Sequence, residues 1–163
     1  MISLAEQVGA ALKAHGMMLA TAESCTGGGI AQALTDISGS SVWFERGFVT
    51  YANAAKIEML GVRLSTLEAH GAVSEATVRE MAAGALAHSH ADIALAVSGI
   101  AGPTGGTAEK PVGTVWFGWA LRDGELHARL HHLAGDRAAV RDQSVQIALR
   151  GVLNLLNNST KIA

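Results

Sequence analysis

The most informative part of the sequence is Met17-Met18-Leu19-Ala20-Thr21-Ala22, an apolar run that continues directly into Glu23-Ser24-Cys25-Thr26-Gly27-Gly28-Gly29. A helical pattern follows from Ile30, so we predict a buried strand, a tight glycine turn and a helix that ends near Ser38-Gly39. Small residues let a ligand approach the backbone, and the first amides of the helix are expected to be unpaired donors. Such a turn is a candidate site for a phosphate or for an activated nucleophile.

The rest of the chain alternates between helical and strand patterns. Ser3-x-x-Glu6 and Ser65-x-x-Glu68 are capping boxes, and Ser74 and Asp136 are candidate N-caps of later helices. Further helices are predicted at about 4–15, 53–60 and 74–90 and from 136 onward, and further strands at 42–51, 92–98, 113–121 and 125–133. This pattern predicts a single α/β domain over 1–163, a layered sandwich with a mixed, mostly parallel sheet flanked by helices.

Composition restricts the possible partners and compartment. The formal net charge is −2 and no run of Lys and Arg occurs, which argues against nucleic acid as a partner. Apolar residues make up 49 % of the chain, but no apolar run is long enough to span a membrane. The single cysteine and the absence of a signal-peptide pattern predict a cytoplasmic protein. We also expect a homodimer.

The first glycine turn carries two possible nucleophiles, Ser24 and Cys25. Read from the local sequence, Ser24 is either a helix cap or a nucleophile, and Cys25 is either an inert small residue or a thiolate favoured by the helix N-terminus. No histidine stands where it could activate either group, and the scattered histidines do not form a metal-ligand pattern. We therefore predict neither a metal nor a cofactor.

Lys56 is a candidate for the general base that a serine nucleophile requires, and Tyr51 is a candidate for a residue that assists it. Helical spacing from Asn53 places Lys56 at the border of an apolar face. Its stem either packs while its ammonium group reaches solvent, or the amine is desolvated and accepts a proton from serine. Tyr51 offers either a packed ring with an exposed hydroxyl or a hydrogen-bond donor that relays a proton.

A second glycine-rich segment, Ser98 to Thr107, follows the strand predicted at 92–98. It is either a plain long turn or a ligand-binding loop at the carboxyl edge of the sheet. Gly102 and Gly105 expose backbone amides there, and Thr104 adds a hydroxyl. The cations that could bind a phosphate, each of them otherwise a surface charge, are Lys110, Arg137 and Arg46.

Five segments occur in an order that resembles a known family. They are Thr21 to Gly28, Gly39 to Phe44, Gly47 to Lys56, Ser98 to Pro103 and Lys110 to Trp116. In this order they resemble the nicotinamide-nucleotide amidohydrolases, the family of the C-terminal domain of the competence/damage-inducible protein CinA, in its stand-alone form. The family often has Tyr-Ser-Asn-Glu-Ala-Lys where this chain has Tyr51-Ala52-Asn53-Ala54-Ala55-Lys56, so the tyrosine-to-lysine spacing is intact.

The resemblance implies a metal-free serine hydrolase that converts nicotinamide mononucleotide into nicotinate mononucleotide and ammonia in pyridine nucleotide salvage. It assigns the nucleophile to Ser24, the proton acceptor to Lys56 and an assisting role to Tyr51. Under this interpretation the amides of Thr26, Gly27 and Gly28 stabilise the oxyanion. The phosphate then lies against the loop that contains Gly102, Thr104 and Gly105, with Arg137 or Lys110 as its counter-charge.

Two other hypotheses remain open from the sequence. The first is a non-catalytic nucleotide-binding regulatory module, which would use the same glycine turns and cations. The second is a thiol enzyme built on Cys25. A desolvated Lys56 beside Ser24 would discriminate between the hypotheses, because a binding module does not need one.

Overall fold

The computed structural model describes residues 1–158, and its elements alternate as the sequence patterns predict. The helices are α1 (Leu4–His15), α2 (Gly29–Thr35), α3 (Asn53–Leu60), α4 (Leu64–His70), α5 (Glu75–Ala87) and α6 (Arg137–Asn158). The strands are β1 (Leu19–Glu23), β2 (Phe44–Val49), β3 (Ile93–Gly99), β4 (Thr114–Leu121) and β5 (Leu126–His132). A 3₁₀ turn at Ser40–Val42 precedes β2.

The five strands form one mixed sheet in the order β2-β1-β3-β4-β5. β1 pairs in parallel with β2 and β3, whereas β3–β4 and β4–β5 are antiparallel pairs. All strands except β4 therefore point the same way. Helices cover both faces, which confirms the predicted α/β sandwich with a mixed, mostly parallel sheet. Residues 159–163 of the predicted domain lie outside the described residues.

The two faces of the sheet carry side chains of different size because successive residues in a strand point to opposite faces. One face contributes large residues such as Leu19, Leu95 and Phe117, which pack with Leu12 of α1 and Leu149 of α6. The opposite face is lined mostly by alanines, and α5 packs on it through side chains that include Val78 and Met81. The small residues let α5 approach the sheet closely.

Two glycines make this close packing possible. A Cβ atom at Gly118 of β4 would lie 2.7 Å from the Val78 carbonyl oxygen of α5. A Cβ atom at Gly84 of α5 would lie 1.9 Å from the Leu60 carbonyl oxygen of α3. The position of α3, and of the lysine that it carries, is thus set by direct backbone packing against α5.

The predicted helix starts are confirmed with one exception. Ser3 and Ser74 cap α1 and α5, and Asp136 Oδ1 accepts a hydrogen bond from the Ala139 amide in the first turn of α6. The capping box predicted at Ser65 is wrong, since α4 begins at Leu64 and Ser65 lies inside the helix. Glu80 of α5 accepts from the Arg63 amide at 2.9 Å, so a carboxylate distant in sequence holds this helix start.

The strand predicted at 42–51 is also shorter than expected. Val42 belongs to the 3₁₀ turn, and β2 ends at Val49. Aromatic and β-branched residues favour a strand, but Tyr51 already lies in the connection to α3, where its carbonyl takes part in the site described below. No helix among residues 1–158 is both long and apolar enough to cross a membrane.

Candidate active site

The candidate site lies where three parallel strands end at the same edge of the sheet. Glu23, the last residue of β1, pairs with Val49 of β2 on one side and with Val97 of β3 on the other. The glycine turn that begins at Ser24 and the loop that follows β3 therefore lie at the same edge. In open α/β sheets this carboxyl edge is where ligands bind.

Ser24 and Lys56 meet at this edge although 32 residues separate them in the sequence. Lys56 Nζ lies 3.1 Å from Ser24 Oγ, and the lysine side chain is only 1 % exposed. The same Nζ atom donates to the carbonyl oxygens of Thr50 at 2.9 Å and Tyr51 at 3.1 Å. The connection from β2 to α3 thus supplies the carbonyls that fix the lysine, and α3 supplies the lysine itself.

Burial makes Lys56 easier to deprotonate than a lysine in water. Burial lowers the pKa of the amine below its usual value, and its three hydrogen-bond partners are uncharged oxygen atoms. A neutral amine has two N–H bonds and one lone pair. With the N–H bonds directed to the two carbonyls, the lone pair faces Ser24 Oγ and can accept its proton.

Glu23 holds the start of α2, and this corrects the prediction of unpaired amides there. Its buried carboxylate accepts from the amides of Ile30 at 2.9 Å and Ala31 at 3.0 Å, and from Thr26 Oγ1 at 2.6 Å. A carboxylate is the preferred partner of a helix N-terminus. Because the chain's own side chain occupies these donors, they do not form a phosphate site.

Arg141 of α6 also stabilises this turn, by hydrogen bonds to two of its backbone carbonyls. Its Nε donates to the Cys25 carbonyl oxygen at 3.1 Å, and its Nη2 donates to the Thr26 carbonyl oxygen at 3.3 Å. Neither Glu23 nor Arg141 was predicted from the sequence to hold this turn. A glutamate at the end of an apolar strand was an available signal for Glu23, whereas the 115 or more residues that separate Arg141 from the turn left no local pattern.

The amides of the turn differ in their hydrogen bonding. The Gly27 amide donates to the Ser24 carbonyl oxygen at 3.1 Å and is therefore used within the turn. Gly28 is the N-cap residue of α2. Within residues 1–158, the amides of Cys25, Thr26 and Gly28 donate to no other residue. Of the three amides predicted to serve a ligand, those of Thr26 and Gly28 are therefore available, whereas that of Gly27 is not.

Cys25 is unsuited to act as the nucleophile. The side chain is 6 % exposed, and burial raises the pKa of its thiol to about 11. At neutral pH the thiol therefore stays protonated, whereas nucleophilic cysteines need a lowered pKa. This geometry favours Ser24 over the thiol alternative.

Tyr51, Arg137 and Gly102 form a second hydrogen-bonded group, called the mouth of the site below, which is joined to the Ser24–Lys56 pair through the Tyr51 carbonyl. Arg137, the first residue of α6, donates to the Gly102 carbonyl oxygen at 2.9 Å and to the Tyr51 hydroxyl at 3.2 Å. The Tyr51 side chain is 61 % exposed, and only its carbonyl contacts Lys56. Arg137 thus links the segment after β2 to the loop after β3.

The other residues predicted to bind the nucleotide make no hydrogen bond to this group within the described chain. Thr104 and Gly105 are exposed, and neither hydrogen bonds to the Ser24–Lys56 pair within the described chain. Lys110 Nζ donates to the His70 carbonyl oxygen at 2.8 Å. Arg46 pairs with Glu45 on β2 at 2.7 Å. Arg137 is therefore the predicted cation that the structure brings to the mouth of the site.

Two buried hydroxyl groups flank the end of β1, directly before Ser24. Thr50 follows β2, and Ser98 lies on β3 one residue beyond Val97, the register partner of Glu23. Within residues 1–158 neither hydroxyl oxygen has a hydrogen-bond partner. Buried hydroxyls are usually paired, so these two are candidate contacts for a bound molecule.

Comparison with known proteins identifies the family. The family model described as CinA C-terminal domain matches residues 1–156. The chain belongs to this CinA family. A nicotinamide-nucleotide amidohydrolase PncC of Enterobacter agglomerans is 60 % identical over 150 residues, which cover 92 % of each chain. One from Pseudomonas putida is 50 % identical and covers 94 % of this chain and 95 % of that protein.

Solved structures of the CinA family share the fold. The competence/damage inducible protein CihA from Agrobacterium tumefaciens superimposes with a TM-score of 0.91 at 48 % identity, covering 95 % of this chain and 94 % of that chain. A CinA superfamily protein from Klebsiella pneumoniae gives a TM-score of 0.92 at 44 % identity, covering 96 % and 97 %. At these identities the likeness includes the family as well as the fold.

Proposed function

We propose that this chain is an amidohydrolase that converts nicotinamide mononucleotide into nicotinate mononucleotide and ammonia, as a step of pyridine nucleotide salvage in the cytoplasm. The names of its relatives support the reaction. The observation that carries the mechanism is the buried amine of Lys56 at 3.1 Å from Ser24 Oγ. A buried lysine next to a serine is costly unless the amine has a chemical task.

The first step is the attack of Ser24 Oγ on the carboxamide carbon. Lys56 Nζ accepts the hydroxyl proton as the new C–O bond forms, so the nucleophile gains alkoxide character without free hydroxide. The two carbonyls that hold Nζ keep its lone pair on the serine. The carboxamide oxygen becomes an oxyanion, which the amides of Thr26 and Gly28 stabilise as donors.

The tetrahedral intermediate collapses when its C–N bond breaks. The proton taken up by Lys56 passes to the nitrogen, and ammonia leaves with the electron pair of that bond. An ester between Ser24 and the nicotinoyl group remains. The proton relay through the Tyr51 hydroxyl stays a prediction, since this hydroxyl is bound to Arg137 at the mouth.

Water completes the reaction by the same chemistry. Lys56 Nζ accepts a proton from water as the water oxygen attacks the ester carbon, and the proton returns to Ser24 Oγ when the ester C–O bond breaks. The products are nicotinate mononucleotide and free serine. Because this path uses only groups of the chain, we expect activity without added metal.

Arg137 is proposed to bind the phosphate of the nucleotide. It is exposed at the mouth, and both of its hydrogen-bond partners are neutral oxygens. A phosphate is a stronger partner for a guanidinium than a hydroxyl or a carbonyl is. The loop with Gly102, Thr104 and Gly105 then lines the nucleotide, as predicted from the sequence.

One assay tests the proposed function. Purified protein is incubated with nicotinamide mononucleotide and a metal chelator, and both ammonia and nicotinate mononucleotide are measured. We expect both products in equal amounts, and neither from Ser24→Ala. Nucleotide binding without either product would support the alternative of a non-catalytic regulatory module. The homodimer remains a prediction that solution mass measurement tests.

A further inference from the structure

Both hydrogen-bond partners of the Arg141 side chain are carbonyl oxygens of the turn that begins at Ser24, here called the nucleophile turn. Nε and Nη2 donate to the carbonyls of Cys25 and Thr26. The guanidinium also lies directly beside the turn, since a Cβ atom at Gly27 would meet Nη2 at 3.4 Å.

The contact with the Cys25 carbonyl fixes a particular amide. The Cys25–Thr26 peptide is trans, so the Thr26 N–H points opposite to the Cys25 carbonyl. Arg141 lies on α6, which packs on the large-residue face of the sheet, whereas Lys56 lies on α3 beside α5 on the other side. With its carbonyl bound by Arg141, this peptide directs the Thr26 N–H away from the Arg141 guanidinium.

We propose that Arg141 is a positioning residue that orients the Thr26 amide as the oxyanion donor of the active site. The inference rests on the proposed function for its chemical consequence. Two features support it. Within residues 1–158 the Thr26 amide donates to no other residue, and Glu23 anchors the Thr26 side chain at 2.6 Å, so the peptide is held at both ends.

The charge of Arg141 adds to its geometric effect. A guanidinium bound to a carbonyl polarises the peptide and makes the N–H on its other end a stronger donor. Donors that are already oriented when negative charge develops stabilise the transition state more than the substrate. Loss of Arg141 should therefore lower kcat and leave KM nearly unchanged.

The kinetic test compares Arg141→Met with Arg150→Met, a matched change at an exposed arginine on the same helix. For Arg141→Met we expect kcat for nicotinamide mononucleotide to fall about 100-fold and KM to stay within about threefold. Arg150→Met should behave as the wild type does. Arg141→Lys, which keeps the charge but has no planar fork, should fall between the two.

A thioamide substrate separates orientation of the donor from general damage. Sulfur is a poor hydrogen-bond acceptor, so wild-type protein should turn over thionicotinamide mononucleotide much more slowly than the amide. In Arg141→Met the ratio of the two kcat values should shrink about tenfold, because the donor that distinguishes oxygen from sulfur is misplaced. An unchanged ratio with both rates lowered equally would contradict the proposal.

A direct measurement makes the proposal independent of the substrate. The amide resonances of Thr26 are compared by NMR in wild type, Arg141→Lys and Arg150→Met. We expect a large shift for Thr26 only when Arg141 is changed, and an unshifted Thr26 would overturn the orienting role. Wild-type protein that releases no ammonia would overturn the proposed function instead, while the Thr26 shift still decides what Arg141 does.

Discussion

The two glycine-rich turns lie at the same edge of the sheet, yet they are built in different ways. The turn after β1 is largely buried and is held by side chains from three directions: Glu23 from its own strand, Arg141 from α6 and Lys56 from α3. The loop after β3 is exposed from Pro103 to Glu109. Its contacts with the rest of the chain include the Arg137 bond to Gly102 and the Lys110 bond to His70.

This difference corresponds to two kinds of task. Bond-making groups must be held to within a fraction of an ångström, which requires packing and several fixed hydrogen bonds. A loop that adapts to a nucleotide needs exposed backbone and few internal contacts. We therefore expect changes in the first turn to lower kcat, and changes around the second loop to raise KM.

The largest effect is expected for the nucleophile itself. Ser24→Ala should lower ammonia release from nicotinamide mononucleotide by at least about ten-thousand-fold and leave nucleotide binding nearly unchanged, because only the reacting atom is removed. Cys25→Ala is the control and should keep most of the activity. If the cysteine variant were the inactive one, the assignment of the nucleophile would be wrong.

Lys56→Met should produce the next largest loss. The methionine side chain fills the same space but cannot accept a proton, so kcat should fall about a thousand-fold while KM changes little. Steady-state kinetics at several pH values provide the measurement. Wild-type activity should rise with pH through the lowered pKa of Lys56, and this rise should be absent from the residual activity of the variant. A large increase in KM with kcat intact would make Lys56 a nucleotide ligand.

Substitution of Arg137 tests the expectation that changes around the loop after β3 affect KM rather than kcat. Arg137→Met should raise KM for nicotinamide mononucleotide about tenfold to hundredfold and keep kcat within about threefold, because a charge-assisted contact to the phosphate is lost. Lys110→Met, a change at a cation of the loop after β3, is the control, and we expect its KM to stay near the wild-type value. The reverse result would move the phosphate from Arg137 to Lys110.

One glycine from each turn gives a matched pair of variants. Gly27 and Gly105 both have positive φ, +61° and +93°, so an alanine at either position should cost about 1–2 kcal/mol of stability. Gly27→Ala also places a Cβ atom against the Arg141 guanidinium and should lower kcat about tenfold. Gly105→Ala should leave kcat within about twofold. Equal kcat losses would show that both turns need the same precision.

The smallest expected effect is on stability. Because the pKa of Lys56 is lowered in the folded protein, the unfolded chain binds more protons between that pKa and the ordinary value of 10.5. The free energy of unfolding should therefore rise with pH across this window. Its slope corresponds to a difference of at most about one bound proton between the unfolded and folded chains. Urea unfolding of wild type and Lys56→Met at matched pH values measures it. Parallel pH profiles would mean that Lys56 titrates normally.

Much of the fold could be predicted from local pattern. Apolar periodicity and turn residues predicted the alternating elements and both glycine turns, because these depend on neighbours in the sequence. The errors have a tertiary cause. Ser65 failed as a cap because Glu80 of another helix binds the start of α4. The donors at the start of α2 are paired because Glu23 folds back onto them.

The candidate site also has features that local sequence predicts and features that depend on tertiary packing. The sequence by itself determined the residue types, the order of the motifs and the spacing of Tyr51 and Lys56, which were enough to name Ser24 and Lys56. Only the tertiary structure decided that Lys56 Nζ lies 3.1 Å from Ser24 Oγ, that Arg137 reaches the mouth, and that Arg141 binds the nucleophile turn. The physical reason is that burial and hydrogen bonding between distant segments depend on how the helices pack on the sheet, and no local pattern encodes that packing.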